Sequence, residues 1–258
     1  TIDAIARQLG LDPLAVRRAN MLQPADFPYT MPTGEMLDEV TPAQTLDAVV
    51  AAIGYADLRR QQAEGRARGR HIGIGLCSVV EPTTYGSRFY KSAGIAGSGH
   101  ESAWLRIEPS GAVNASVGLM GTGQGYETSL AQAVAEGLGV AAAAVRIELG
   151  NTDVAPYGMG SRGARGATAG GGALYLCARK AQDHVLRIAA HMLTLNSAAD
   201  LRLLDGTVQR MIGGAWSDAG LSLADVARRA YLDPQELPQS VAPGLDFSLA
   251  YDPPPMTY

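Results

Sequence analysis

Two glycine-rich stretches contain the residue types best suited to chemistry. The first is GTGQGYET at residues 121–128, between a predicted strand and a predicted helix. Glycine lets the backbone turn with positive φ and approach a ligand closely, and a helix N-terminus offers unpaired N–H groups at the positive end of its dipole. This pattern is typical of a phosphate or pyrophosphate site, although a tight strand-to-helix turn without a ligand has the same features.

The second stretch spans residues 158–172 and contains seven glycines together with Arg162 and Arg165, just before a long predicted helix. Backbone N–H groups and two guanidinium groups can form a cradle for an anion. The alternative is a flexible surface loop with solvated arginines. Two strand–glycine–helix transitions in one chain favour a single large anionic ligand that both stretches hold.

The first stretch does not have the spacing of the common nucleotide-binding motifs, and two common catalytic motifs are absent from the sequence. The glycines at 121, 123 and 125 do not fit G-x-G-x-x-G, no Gly-Lys-Ser/Thr follows them, and G-x-S-x-G and H-E-x-x-H are absent. A nucleotide-binding domain that uses the GTGQG turn remains an alternative. Cys77 and Cys177 form no C-x-x-C pair, so no zinc, iron–sulfur or other protein-held metal site is expected in this chain. We expect both cysteines to be buried, in a reducing and therefore cytoplasmic environment.

The aromatic residues of the segment 81–100 are candidates for contacts with a substrate. Tyr85, Phe89 and Tyr90 lie there among glycines and hydroxyl side chains. They could line a pocket, and ordinary packing within the loop is the alternative reading.

Composition restricts the class of protein. The chain has 258 residues, of which 47% are hydrophobic and 18% charged, as in an ordinary globular protein. Its formal net charge of −4 argues against nucleic acid as a partner. No apolar run approaches the ~18 residues of a transmembrane helix, so no membrane span is expected.

The elements that must position these residues indicate an α+β fold. The apolar spacing predicts four helices. The first spans 2–9 and ends at Gly10, the second begins at Asp12-Pro13, the third begins at Thr41-Pro42, and the fourth spans 56–68. Residues 71–80 are predicted as a strand and 81–100 as a long loop. We therefore expect a small helical part over residues 1–70 and a mixed domain over 71–258.

The mixed domain is predicted to begin with a β-hairpin, 102–109 paired with 112–120. A helix ended by Gly139, a strand over 142–149 and the longest helix over 173–193 follow. A short hairpin around Asp205-Gly206 and a helix capped by Ser222 come next. The Pro-rich end, 238–258, has no predicted element.

The order of these motifs resembles a known family. The stretches that carry the resemblance are IDAIARQLGLDPLAVRRANML, GIGLCSVVEP, HESAWLRIEPSGAV, MGTGQGYETSLAQAVAEGLGV and VRIELGNTDVAPYGMGSRGAR. Together they are similar to the molybdenum-binding large subunit of the xanthine dehydrogenase, aldehyde oxidase and carbon monoxide dehydrogenase family, most of all to its bacterial carbon-monoxide-dehydrogenase-like branch.

This resemblance implies an oxidoreductase, a molybdenum hydroxylase that acts on an aldehyde, an N-heterocycle or a CO-like substrate. It implies a molybdopterin, in bacteria usually as the cytosine dinucleotide, held by a domain of which residues 71–258 are a part. It also implies 2Fe-2S clusters and FAD on partner subunits or domains.

The resemblance also assigns roles to residues. Gln124 is expected near the pterin or the metal ligands, while Gly123, Gly125 and Thr128 are expected to meet the phosphate side of the cofactor. The second cofactor loop is expected at Gly163, Ala164, Arg165 and Gly166. Phe89 and Tyr90 are the candidate substrate contacts.

Departures from the family pattern lead to further expectations. Asn151 stands where the family has Asp, Ala164 stands where it has Ser, and the G-x-G-E motif with the catalytic glutamate is absent. We therefore expect an internal fragment without its base, inactive and without stoichiometric molybdenum when alone. Its expected partners are the remainder of the large subunit and the iron–sulfur and FAD subunits, with self-association through an exposed apolar face as a further expectation. A non-catalytic scaffold of the same fold is a second alternative.

Overall fold

The computed structural model describes residues 1–32, 34, 36–82 and 86–254, in two compact units. The first unit is Thr1–Pro82 and the second is Thr83–Met256. Residues 71–82 belong to the first unit in this structure, and the expected division of the chain at residue 70 stays a prediction.

The first unit is mainly helical. Asp12 accepts a hydrogen bond from the N–H of Leu14 (3.3 Å) and Gly10 follows the first helix, so both predicted helix boundaries are confirmed. Its described elements are α1 Ile2–Leu9, α2 Pro13–Ala19, β1 Tyr29–Thr30, β2 Met36–Leu37, α3 Pro42–Ala52 and α4 Tyr55–Ala67.

The strand predicted over 71–80 is wrong, since these residues pair with no other segment among those described. They are arranged with one side inward: Ile74 and Leu76 pack against a small cluster that includes Leu14 and Leu46, while Val79 is 75% exposed. The segment therefore buries its apolar side chains on one side without the ladder of hydrogen bonds that defines a strand.

The second unit contains two sheets and the longer helices. Two predictions need correction: the 81–100 segment contains a short helix, and the Pro-rich end contains a strand of the main sheet. The elements are α5 Ser87–Ser92, β3 Glu101–Ile107, β4 Val113–Val117, α6 Tyr126–Leu138, β5 Val145–Glu148, α7 Gly172–Met192, β6 Leu201–Leu204, β7 Thr207–Ile212, β8 Ala215–Ser222, α8 Leu223–Leu232 and β9 Asp246–Tyr251.

The main sheet has the strand order β5-β4-β3-β9. The predicted hairpin is confirmed, because β3 pairs antiparallel with β4, and β9 pairs antiparallel with the other edge of β3. Strands β4 and β5 are parallel, with α6 as the crossover between them. Alternate residues of β3, such as Leu105 and Ile107, are fully buried in the core with α6 and α7.

The second sheet, β6-β7-β8, is antiparallel and extends the predicted hairpin by one strand. Ser222 caps α8 as predicted: its Oγ accepts from the N–H of Asp225 (3.2 Å) and the Asp225 carboxylate accepts from the N–H of Ser222 (2.8 Å). This combination of a mixed sheet, an antiparallel sheet and helices confirms the α+β class.

The longest helix, α7, has 21 residues and packs against α6, β3 and β9. Its buried side is rich in alanine, which lets the helix lie close to the sheet. Neither α7 nor any other helix in the described part of the chain is both long and apolar enough to cross a membrane.

The two cysteines differ in their environment. Cys177 is fully buried on α7, as expected, but Cys77 is exposed, which corrects the expectation for that residue. Burial raises the pKa of the Cys177 thiol to about 11, so very little thiolate forms at pH 8.

We therefore expect one thiol per folded chain to react rapidly with a disulfide reagent at pH 8, and the second only after denaturant is added. The absorbance of the released thiolate measures both steps. Cys77→Ser should abolish the fast step. Rapid reaction of both thiols in the folded protein would contradict the buried position of Cys177.

Candidate functional site

The first glycine-rich loop, residues 121–125, connects the end of β4 to the start of α6. Gly123 and Gly125 have φ of 101° and 74°, and neither has another atom within 4 Å of the position that a Cβ would take. Gly125 is the N-cap of α6, and no side chain caps this helix. The first N–H groups of α6 therefore have no side-chain partner.

The polar side chains of this segment have distinct surroundings. The Oε1 atom of Gln124 accepts hydrogen bonds from the N–H (2.6 Å) and the hydroxyl (3.0 Å) of Thr122, which closes the loop. Thr128 is exposed in the first turn of α6. The carboxylate of Glu127 lies beside Gly121, 3.1 Å from the position that its Cβ would take. The negative charge of Glu127 therefore disfavours an anion beside Gly121.

The second glycine-rich loop, residues 158–166, leads into a single π-helical turn, Gly166–Gly171, and then into α7. Gly163 and Ala164 have φ of 50° and 53°. A left-handed conformation costs a non-glycine residue about 1–2 kcal/mol, so contacts of this loop must hold Ala164 in place. Gly163 and Ala164 are exposed, whereas Gly166 is buried.

The structure brings the two glycine-rich loops together at two points. The Ser161 hydroxyl donates to the carbonyl of Met120 (2.6 Å) and accepts from the N–H of Met120 (3.0 Å). Gly166 packs so closely on Tyr126, the first residue of α6, that a Cβ there would overlap the tyrosine hydroxyl. These contacts hold Met120, just before the first loop, and Tyr126, just after it, against the second loop, while a ligand shared by both loops stays a prediction.

The two arginines of the second loop are used differently. Arg165 is fully buried, and its guanidinium forms an ion pair with Glu101, also fully buried, and donates to the carbonyls of Gly160 (3.1 Å) and Gly99 (2.8 Å). Arg162 is exposed, with its guanidinium 4.9 Å from the centre of the Tyr90 ring. Of the two, Arg162 presents a guanidinium to solvent.

The candidate substrate contacts lie on α5. Tyr90 is only 5% exposed, and it packs edge-to-face on the partly buried Phe89, with ring centres 5.6 Å apart. Through Arg162, Tyr90 is joined to the second glycine-rich loop. Tyr85, the third predicted aromatic, lies outside the described residues.

Sequence reasoning missed Glu101 and Ser161, which organise the site. Glu101 could have been found, because alternation along β3 places it on the same inward side as Leu105. Ser161 had no such signal, since its partner lies 41 positions away. In the described part of the chain, no three His, Cys, Asp or Glu side chains are grouped so that they could hold a metal ion.

Comparison with known proteins gives consistent results. Residues 48–255 match the family model of the molybdopterin cofactor-binding domain. The chain is 35% identical to the carbon monoxide dehydrogenase large chain of Afipia carboxidovorans, over 100% of this chain and 32% of that protein. It is 31% identical to the nicotine 6-hydroxylase large subunit of Paenarthrobacter nicotinovorans, over 97% of this chain and 30% of that protein.

A solved structure is also similar. Quinoline 2-oxidoreductase from Pseudomonas putida 86 superposes with a TM-score of 0.81 at 36% identity, over 99% of this chain and 32% of that chain. This chain therefore spans about a third of the length of the relatives that it matches.

Proposed function

We propose, because this chain belongs to the molybdopterin cofactor-binding domain family, that it forms part of the molybdopterin cradle in the large subunit of a molybdenum hydroxylase. The observation that carries the proposal is the contact of Ser161 with both backbone groups of Met120, which places two glycine-rich loops side by side. The relatives whose names identify them as large subunits or chains support it.

The residues present fit a phosphorylated cofactor. Two glycines of the first loop leave their backbone open to close approach, and the α6 N-terminus has N–H groups without a side-chain cap. Such termini bind anions through their N–H groups and the helix dipole. Arg162 adds an exposed positive charge on the second loop.

Each part of the site has a proposed task. The N–H groups of Gly123 and Gly125 and the Thr128 hydroxyl bind phosphate, and the Gln124 amide faces the pterin or the metal ligands. The backbone of Gly163, Ala164, Arg165 and Gly166 forms the opposing wall. Bound molybdopterin supplies a redox-active molybdenum that accepts electrons from the substrate, while the chain binds and orients the group.

The finer features of the parent enzyme are also proposals. We propose the cytosine dinucleotide form of the cofactor, oxidative hydroxylation of an aldehyde, an N-heterocycle or a CO-like substrate, and electron transfer to 2Fe-2S and FAD on partner subunits or domains. The catalytic base, the glutamate of the family's G-x-G-E motif, is supplied by another segment, because this sequence contains no G-x-G-E. Phe89 and Tyr90 contribute to the substrate side, and the protein is cytoplasmic.

Cytidine diphosphate (CDP) is a suitable probe for the phosphate side of the proposed site. In NMR titrations of the ¹⁵N-labelled chain we expect weak binding, with shifts confined to the amides of 121–128 and 158–166. Thr128→Ala should weaken CDP about fivefold, the effect of losing roughly 1 kcal/mol from one hydrogen-bonding side chain. Gln132→Ala, on the exposed side of the same helix, is the matched control and should leave the affinity unchanged.

Two results would contradict the proposal. One is the absence of CDP-dependent shifts in both loops, and the other is tighter binding of NAD or FAD than of CDP, which would indicate a nucleotide-binding domain.

Metal analysis adds an independent test of the fragment hypothesis. The purified chain should lack stoichiometric molybdenum, and one molybdenum per chain would show that this segment alone completes the cradle.

A further inference from the structure

The ion pair between Glu101 and Arg165 is the only pair in the described residues with both side chains fully buried. Taking two charges out of water costs several kcal/mol per ion, and such a pair is by itself weak evidence for stability. The role of this pair is therefore sought in the segments that it holds in place. Glu101 is the first residue of β3, and Arg165 directly follows the exposed residues 162–164 of the second glycine-rich loop.

The guanidinium of Arg165 bonds two separate segments. Its Nη2 donates to the carbonyls of Gly99 (2.8 Å) and His100 (3.4 Å), and its Nη1 donates to Glu101 Oε2 and to the carbonyl of Gly160 (3.1 Å). One side chain thus ties the chain before β3 to the middle of the second loop. A lysine has one compact ammonium and cannot reproduce this planar set of contacts.

Glu101 is enclosed by backbone of the second loop and of the segment that leads into the first loop. Its Oε2 accepts from the N–H of Met159 (3.3 Å), and a Cβ on Gly118 or Gly158 would overlap its Oε1. Gly118 follows β4 and leads into the first loop, while Gly158 opens the second. The carboxylate therefore sits where the two loops diverge.

We propose that Glu101 and Arg165 are a positioning pair for the phosphate-binding loop. They hold the second glycine-rich loop in the position where Ser161 forms its two hydrogen bonds with Met120. Through Met120 they fix the position of residues 121–125. This inference rests on the proposed function in assigning phosphate contact to those residues. It gives the Arg165 side chain a role at a distance, distinct from a direct contact with an anion.

Hydrogen–deuterium exchange of the whole chain tests this inference without any ligand. Arg165→Lys should raise amide exchange about tenfold at the hydrogen-bonded amides of the two segments, Met159 in 158–164 and Met120 and Thr122 in 120–125, which reports loss of roughly 1.4 kcal/mol of local protection. Amides in the buried middle of α7 should keep their wild-type rates. Glu101→Gln should raise exchange at the same amides of the two segments, because the neutral amide keeps the shape of the carboxylate but leaves the Arg165 charge unpaired.

Ser161→Ala removes the link from the second loop to Met120 and leaves the contacts of Arg165 in place. It should raise exchange in 120–125 while leaving 99–101 unchanged, since Arg165 still bonds that segment. Faster exchange in 158–164 of Arg165→Lys or Glu101→Gln with wild-type exchange in 120–125 would overturn the proposal. Unchanged exchange of 120–125 in Ser161→Ala would overturn it as well, even if Arg165→Lys fails to fold. Failure of CDP to bind contradicts the proposed function alone.

Discussion

Gly158→Ala should lower the free energy of unfolding of the second unit by about 3–5 kcal/mol, the range found when one partner of a buried ion pair is lost. The added Cβ would overlap Glu101 Oε1, and the Cα of Gly118 lies 2.8 Å from the same position. Glu101 has no exposed surface to move into. Either the carboxylate leaves Arg165 or the second glycine-rich loop moves, and both break the buried contacts.

Tryptophan fluorescence during urea unfolding measures this effect selectively, because Trp104 and Trp216 both belong to the second unit. The urea midpoint then reports on that unit without assuming that the whole chain unfolds in one step. Gly171→Ala is the matched control: its Cβ would meet Leu130 at an ordinary 3.8 Å. It should change stability by no more than about 1 kcal/mol, the helix-propensity difference between glycine and alanine. Equal midpoints for the two variants would contradict the packing at Gly158.

Local signals explain which elements the sequence could predict. Gly10, Asp12 and Ser222 define helix boundaries through hydrogen bonds within a few residues, so their positions follow from residue type. The β3–β4 hairpin likewise follows from alternation on both sides of a short turn. These predictions depend only on neighbours along the chain.

The failures depend on partners that are distant in sequence. Residues 71–80 have the composition of a strand but no partner strand among the described residues. Strand β9 lies in a Pro-rich end, yet it pairs with β3 about 145 positions earlier, and Phe247 is buried against the core. Pairing between remote segments is decided by the tertiary fold rather than by local propensity.

The candidate site shows the same division. Glycine spacing and the following helices indicated both loops, and the resemblance assigned the residues within them. The ion pair of Arg165 was not predicted, because an arginine in a glycine-rich stretch has the same sequence signature whether it faces solvent or a buried carboxylate. Only the position of Glu101 on the inward side of β3 pointed to a buried partner for a positive charge.

Gly139→Ala is the second substitution for which a large effect is expected. Gly139 ends α6 with φ of 89°, and a Cβ there would overlap the carbonyl oxygen of Leu203 in β6. The left-handed strain of about 1–2 kcal/mol and overpacking of about 1–3 kcal/mol together give an expected loss of roughly 2–5 kcal/mol. The same urea titration, followed by tryptophan fluorescence, measures it.

Gly206→Ala separates strain from overlap. Gly206 has a similar φ of 75° with nothing within 4 Å of its Cβ position, and its N–H donates to the carbonyl of Gly139 (3.0 Å). Its free energy of unfolding should fall only by the left-handed strain of about 1–2 kcal/mol. The difference between the two variants therefore measures how rigidly β6 is held against the end of α6. If Gly139→Ala were no more destabilising than Gly206→Ala, β6 would be free to move away, and the α6–β6 contact could not contribute to fixing the helix whose first turn forms the proposed phosphate site.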